Sequence, residues 1–160
     1  MAKPKQIPDG HRTVTPYLTL KVTQFVRGLR EDVFEAFGDP RLARKWAPEG
    51  CRMASFEADM HVGGKFRQVM QCGRDRHVAY GEYRKIVPDR EVAFTHQWEE
   101  DDPVETLVTI RFRPGKSGTQ MVLSQTGFKD AASAKGHEEG WSSALASFAK
   151  VFAASRRKQR

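Results

Sequence analysis

From Cys51 to Thr126 apolar and polar residues alternate with a period of two, in six short runs separated by turn residues. The pattern then becomes helical: Trp141, Ala144, Leu145, Phe148, Val151 and Phe152 fall on one stripe. A stripe of that size must be buried. The only large apolar surface left to receive it is one face of the sheet that the six runs form. A curved sheet wrapped around one long helix leaves a hollow between the two, and a small molecule can sit in a hollow.

The runs are expected at about 52–59, 64–72, 77–87, 91–98, 104–113 and 119–126. Between them lie Gly63-Gly64, Gly73-Arg74-Asp75, Pro88-Asp89, Asp101-Asp102-Pro103 and the stretch Pro114 to Gly118, all good turn chemistry. Such short connections make neighbouring strands pair antiparallel. Upstream, Tyr17 to Val26 is rich in β-branched and aromatic residues and predicts a first strand. Val33, Phe34 and Phe37 recur at helical spacing from Arg30 onward. Asp39-Pro40 opens a second short helix, expected to run to about Trp46. The last helix is expected from Asp130 to about Ala154. The fold class is therefore α+β: a seven-stranded antiparallel sheet curled around a long C-terminal helix, with two short helices after the first strand. Residues 1–13 are expected as a flexible basic arm, 14–154 as one domain and 155–160 as a basic tail.

The formal net charge of +7 sits mostly at the ends: +2 in residues 1–13 and +4 in 155–160, leaving +1 on the body. A basic folded face is thus not expected, nor is specific nucleic-acid binding. No stretch approaches the ~20 apolar residues of a membrane helix, and Met1 to Gln6 lacks a signal-peptide run. A cytoplasmic location without membrane insertion is the expectation. Cys51 and Cys72 have no metal-binding spacing and are expected as buried free thiols in a reducing compartment. No histidine, carboxylate or thiol set has metal spacing, and no phosphate loop or nucleophile elbow stands out, so no metal and no cofactor are expected.

The strand, two short helices, six strands and long helix follow the order of the helix-grip fold. Val33-Phe34-Glu35-Ala36-Phe37 with Asp39-Pro40 and Trp46, then Asp59-Met60-His61-Val62-Gly63-Gly64-Lys65-Phe66, then Tyr80-Gly81-Glu82-Tyr83-Arg84-Lys85-Ile86-Val87-Pro88 carry a family resemblance. Gly118-Thr119-Gln120-Met121-Val122-Leu123, Gly127-Phe128 and His137 to Trp141 continue it. The chain resembles bacterial relatives of the C-terminal domain of the Hsp90 ATPase activator, within the START/Bet v 1-like superfamily. It departs at His61-Val62, where the family usually has arginine and proline. The full eukaryotic co-chaperone has a separate N-terminal domain that engages the chaperone. These 160 residues leave no room for it, so Hsp90 is not the expected partner. The resemblance implies a ligand-holding cavity, and the superfamily spans carriers, receptors and aromatase/cyclases.

Alternation places side chains on the inner face. Trp46, Phe66, Met70, Tyr83, Phe94, Trp98, Phe112, Met121, Trp141 and Leu145 are expected as cavity walls. His96, Gln68, Gln125 and Tyr83 are expected to orient a small hydrophobic or amphipathic molecule. His96, between Phe94 and Trp98, needs a partner: either a ligand, or Gln125, Gln68 or Tyr83. It is also, with Tyr83, the acid–base candidate if the cavity is catalytic. His137 and Trp141 share a helix face. A loop-carbonyl partner is preferred for His137 over a ligand contact, and both wall and anchor roles are expected of Trp141. Gly136, Gly140 and Ala144 put small residues beside that face. Gly63 and Gly64 are expected to serve a turn, with Asp59 capping backbone amides rather than facing a ligand. A non-enzymatic carrier, a cyclase-, dehydratase- or hydrolase-type enzyme and an interaction module all remain open, as does a homodimer through the outer sheet face.

Overall fold

The computed structural model describes residues 18–100 and 104–158. The expected basic arm and the turn at 101–103 lie outside these residues. In chain order the elements are β1 (Leu18–Val26), α1 (Arg30–Phe37), α2 (Pro40–Ala43), β2 (Cys51–Ala58), β3 (Lys65–Cys72), β4 (Asp75–Val87), β5 (Glu91–Trp98), β6 (Thr106–Pro114), β7 (Thr119–Phe128) and α3 (Ala131–Lys158). The seven strands form one antiparallel sheet in the order β1-β7-β6-β5-β4-β3-β2. The meander is therefore as the turn chemistry predicts, and β1 adds to its far end beside β7.

Two helix boundaries differ from expectation. The second short helix stops at Ala43 rather than near Trp46, although Asp39 caps it as expected, accepting from the Arg41 amide at 2.9 Å. The residues from Trp46 to Gly50 then form an irregular segment that leads into β2. The last helix continues to Lys158, into the expected tail. There Arg156 reaches Asp32 of α1 at 3.2 Å and stacks over Phe152 at 5.8 Å, so this cation is anchored. Asp130 caps the start of α3 through the Ser133 amide at 2.8 Å.

Of the helical stripe, Ala144, Leu145, Phe148 and Phe152 are buried, and Trp141 and Val151 are half-buried. Leu145, Phe148 and Phe152 have essentially no exposed surface, and they share a core with Val108, Ile110, Phe112, Met121 and Leu123 of the sheet. Phe34 and Phe37 of α1 close one end of this core, stacking edge-on to Phe112 at 5.2 and 5.9 Å. The outer face is less wet than the alternation implies. Val69, Val78, Ala93 and Thr95 are buried there, in the central strands.

Two glycines allow backbone arrangements that a side chain would block. Gly63 has φ of 90°, which an L side chain resists. It lets the tight β2–β3 loop fold onto β4, where Gly63 donates to the Tyr83 carbonyl and the Tyr83 amide donates to Gly64. The Asp59 carboxylate does not cap backbone amides; its partner is His61 Nε2 at 3.0 Å. Gly81 faces the Thr95 carbonyl so closely that a Cβ would overlap it. Beside it the β4–β5 register shifts between Tyr83 and Lys85.

Candidate ligand cavity

One end of the space between α3 and the sheet is filled by the core, and the other is not. A cavity of about 500 Å³ lies there, open on one side. β3 contributes Gln68 and Met70, β4 His77, β5 His96 and Trp98, and β2 Cys51 and Met53. Ala132, Ser133, Gly136, His137, Gly140, Trp141 and Ala144 of α3 form the opposite wall, and Trp46 to Pro48 form a side. Burial gives the cavity a direction. Trp46, Met70, His96 and Ala144 are buried, while the side chains of His77 and Glu100 are more than a third exposed.

Why the space stays open is legible on α3. Apart from its chain neighbours and the backbone of α3 itself, a Cβ built at Gly136 or Gly140 would meet no atom within 4 Å. These glycines are thus not needed for close backbone approach. They withhold side chains from the cavity, although glycine disfavours a helix by about 1 kcal/mol.

The polar groups around the cavity fall into two sets. In the first, each group is engaged by protein. Trp98 Nε1 donates to His137 Nε2 at 2.8 Å, and His137 Nδ1 lies 2.9 Å from the Ser133 carbonyl. This arrangement puts the proton on Nδ1 and uses both ring nitrogens. Trp141 Nε1 donates to Gln125 Oε1 at 2.8 Å, Gln125 Nε2 donates to Thr106 Oγ1 at 2.8 Å, and Thr106 Oγ1 donates to the His96 carbonyl at 2.9 Å. Two indoles that border the cavity therefore spend their N–H groups on protein. At the outer end Glu100 accepts from the Val78 amide at 3.0 Å and lies 3.2 Å from His77 Nδ1.

The second set is His96, Gln68 and the Ser133 hydroxyl, which line the cavity and make no side-chain hydrogen bond to another described residue. His96 is 5 % exposed and ringed by Trp98, His137, Trp141 and Phe66, with ring centroids at 5.1–6.4 Å. Burial, with His137 nearby adding repulsion, pushes its pKa down to about 3, so the ring is neutral near pH 7. The Trp46 indole N–H is also buried and unpartnered.

Several expected contacts are not made. Of the anticipated walls and orienting groups, Trp46, Gln68, Met70, His96, Trp98, His137 and Trp141 line the cavity, while Phe66, Tyr83, Phe94, Phe112, Met121, Gln125 and Leu145 do not. Phe112, Met121 and Leu145 fill the solid end of the core. Phe66, Tyr83 and Phe94 pack on one another with centroids at 5.3–5.9 Å. Gln125 is fully buried and holds Trp141 rather than a ligand. Tyr83, whose pKa burial raises to about 12, makes no hydrogen bond to His96, so the acid–base pair is not assembled. Met53, His77, Glu100 and the Ala47-Pro48 pair were not anticipated. Continuing the alternation along β2 would have found Met53, since it pairs with Met70.

The cysteines are the clearest correction. Cys51 and Cys72 are not free thiols; they form a disulfide. They lie directly opposite each other at the open ends of β2 and β3, and both line the cavity. Sequence separation argues against a metal pair but is silent about strand register, which brings the two together.

Among the described residues there is no group of three or more histidines, cysteines, aspartates or glutamates placed to hold a metal ion. No described helix is long and apolar enough to cross a membrane.

Similarity to solved proteins follows this geometry. A protein from Chromobacterium violaceum is 26 % identical, with 84 % of this chain and 96 % of that one covered and a TM-score of 0.76. The AHSA1 protein from Silicibacter pomeroyi is also 26 % identical, covering 86 % and 99 % at a TM-score of 0.75. A protein from Rhizobium loti is 27 % identical, covering 84 % and 96 % at 0.71. No curated protein matches the chain significantly. The family described as "Activator of Hsp90 ATPase homolog 1-like protein" matches residues 29–153, from the start of α1 almost to the end of α3. The chain therefore belongs to that family, built on the helix-grip fold of the START/Bet v 1-like superfamily.

Proposed function

We propose that the protein binds a small, largely apolar molecule in the cavity between α3 and β3–β5, as a carrier or receptor rather than an enzyme. The observation that carries this reading is the cavity itself: about 500 Å³, bordered by three tryptophans and two methionines, beside a helix that omits two side chains. That size and lining suit a small organic ligand. The Trp98 and Trp141 N–H groups are already bonded to protein, so what these walls offer is mostly apolar surface.

Catalysis is supported less well. A general base works best with a pKa near the operating pH, and His96 is pushed to about 3. Tyr83, its intended partner, does not reach the cavity. The proposed partner is accordingly a small molecule and not the chaperone in the family's description.

Native mass spectrometry of freshly purified protein tests the reading. The expected result is an added mass that denaturation releases as an organic compound unchanged by prolonged incubation with the protein. Chemical conversion of that compound would move the reading to an enzyme, and protein that stays empty against a broad panel of apolar compounds would overturn it.

A further inference from the structure

The cavity is polar at few points, and those points differ in charge. Among the described residues, no lysine or arginine lines it. The one carboxylate among the described lining residues, Glu100, stands at the more exposed end with both oxygens engaged by His77 and the Val78 amide. At the buried end the unmet groups are the His96 imidazole, the Trp46 indole N–H and, half-buried on β3, the Gln68 amide. None of them carries charge near neutral pH, His96 because burial holds it in its neutral form. A neutral imidazole has one N–H donor and one bare nitrogen acceptor.

A ligand carboxylate drawn into that end would lose its water without gaining a cation, which is strongly unfavourable. An ammonium group would find its counter-charge, among the described residues, only at Glu100 on the outer end, far less buried than His96. A hydroxyl suits either nitrogen of the imidazole, donating to one or accepting from the other. We infer that the ligand is an uncharged molecule whose apolar body carries a hydroxyl group, and that this hydroxyl bonds to His96 at the buried end of the cavity. This inference rests on the proposed binding function and names the chemistry of its ligand.

One rival arrangement is built into the same wall. A second hollow of about 50 Å³ shares His96, Trp98, Ser133 and His137 with the cavity and is also lined by Lys129. If the Trp98–His137 hydrogen bond opened, an acidic headgroup could pass through and pair with Lys129. The test therefore includes that arm.

Full-length protein is titrated with pyrenemethanol, pyrenecarboxylate, pyrenemethylammonium and methylpyrene, followed by fluorescence. The alcohol is expected to bind at least tenfold more tightly than either charged analogue. It should also exceed methylpyrene by about three- to tenfold, the range of one net hydrogen bond. His96→Phe should erase the advantage of the alcohol over methylpyrene while leaving methylpyrene bound. The rank order in the unsubstituted protein decides the matter even if that variant folds poorly. Binding of the carboxylate as tight as that of the alcohol, abolished by Lys129→Gln, would overturn the inference in favour of the acidic headgroup. Methylpyrene and the alcohol bound equally would overturn it while leaving the binding function standing. Failure of every probe to bind would count against both.

Discussion

His96 is the residue on which most of the site's chemistry turns. Its position in β5 between two aromatic residues makes it inward-facing, and the structure leaves its ring unbonded at 5 % exposure. That state has a consequence for stability. In the unfolded chain the imidazole titrates near pH 6.5, whereas in the fold its pKa is about 3. Between these values the unfolded state binds more protons, so stability is complete above pH 6.5 and declines as pH falls toward 3. Between pH 7 and pH 5 the loss should be about 2 kcal/mol. Other groups titrate over the same window, so the quantity to measure is the difference between the wild-type and His96→Phe urea-unfolding profiles. Parallel profiles would show that His96 is not held neutral. His137, by contrast, has both nitrogens committed, to Trp98 and to Ser133. The sequence favoured a loop carbonyl for it, whereas the carbonyl it meets, Ser133, lies one turn back in α3 itself, and nothing in the spacing of residues 98 and 137 reveals the indole.

At the scale of elements, the hairpin of β2 and β3 supports the cavity's open side. β2 is an edge strand, bonded in the sheet only to β3. The disulfide joins residues 21 apart and ties the first residue of β2 to the last of β3. Just upstream, the irregular segment ending at Gly50 is fastened to α3 by the Glu49 amide, which donates to Ser143 Oγ at 2.6 Å. Closing a loop of that size restrains the unfolded chain by about 3 kcal/mol in the entropic picture. A Cys51→Ala/Cys72→Ala double variant should lose about 2–3 kcal/mol of unfolding free energy in oxidised samples. An unchanged denaturation midpoint would contradict the linkage. The elements themselves were legible in the sequence, because period-two and helical stripes are local patterns and Asp39-Pro40 is a local cap. The disulfide was not, because it depends on register across a hairpin. The split of the inner face into a solid end and a hollow end was not legible either. Phe112 and Trp98 obey the same alternation, yet only Trp98 borders the cavity, and which of the two the α3 side chains reach is settled by packing at a distance.

For the molecule as a whole, sheet and helix together divide one apolar interior into two functions. Phe148 and Phe152 of α3 pack against the sheet with α1 and make the fold stable, while Gly136 and Gly140, about two to four turns toward the start of the helix, keep the remainder open. Stability and binding should therefore be separable by a single change. Gly140→Leu places a side chain in open space and replaces a poor helix former with a good one. It should raise unfolding free energy by about 1 kcal/mol or more. The same leucine should weaken methylpyrene binding at least tenfold, because it occupies the ligand's volume. The decisive measurement is the methylpyrene dissociation constant of Gly140→Leu beside that of the wild type, on samples whose stability is determined in parallel. Lost affinity with retained or increased stability is the predicted result; unchanged affinity would place the ligand elsewhere and contradict the cavity as the binding site.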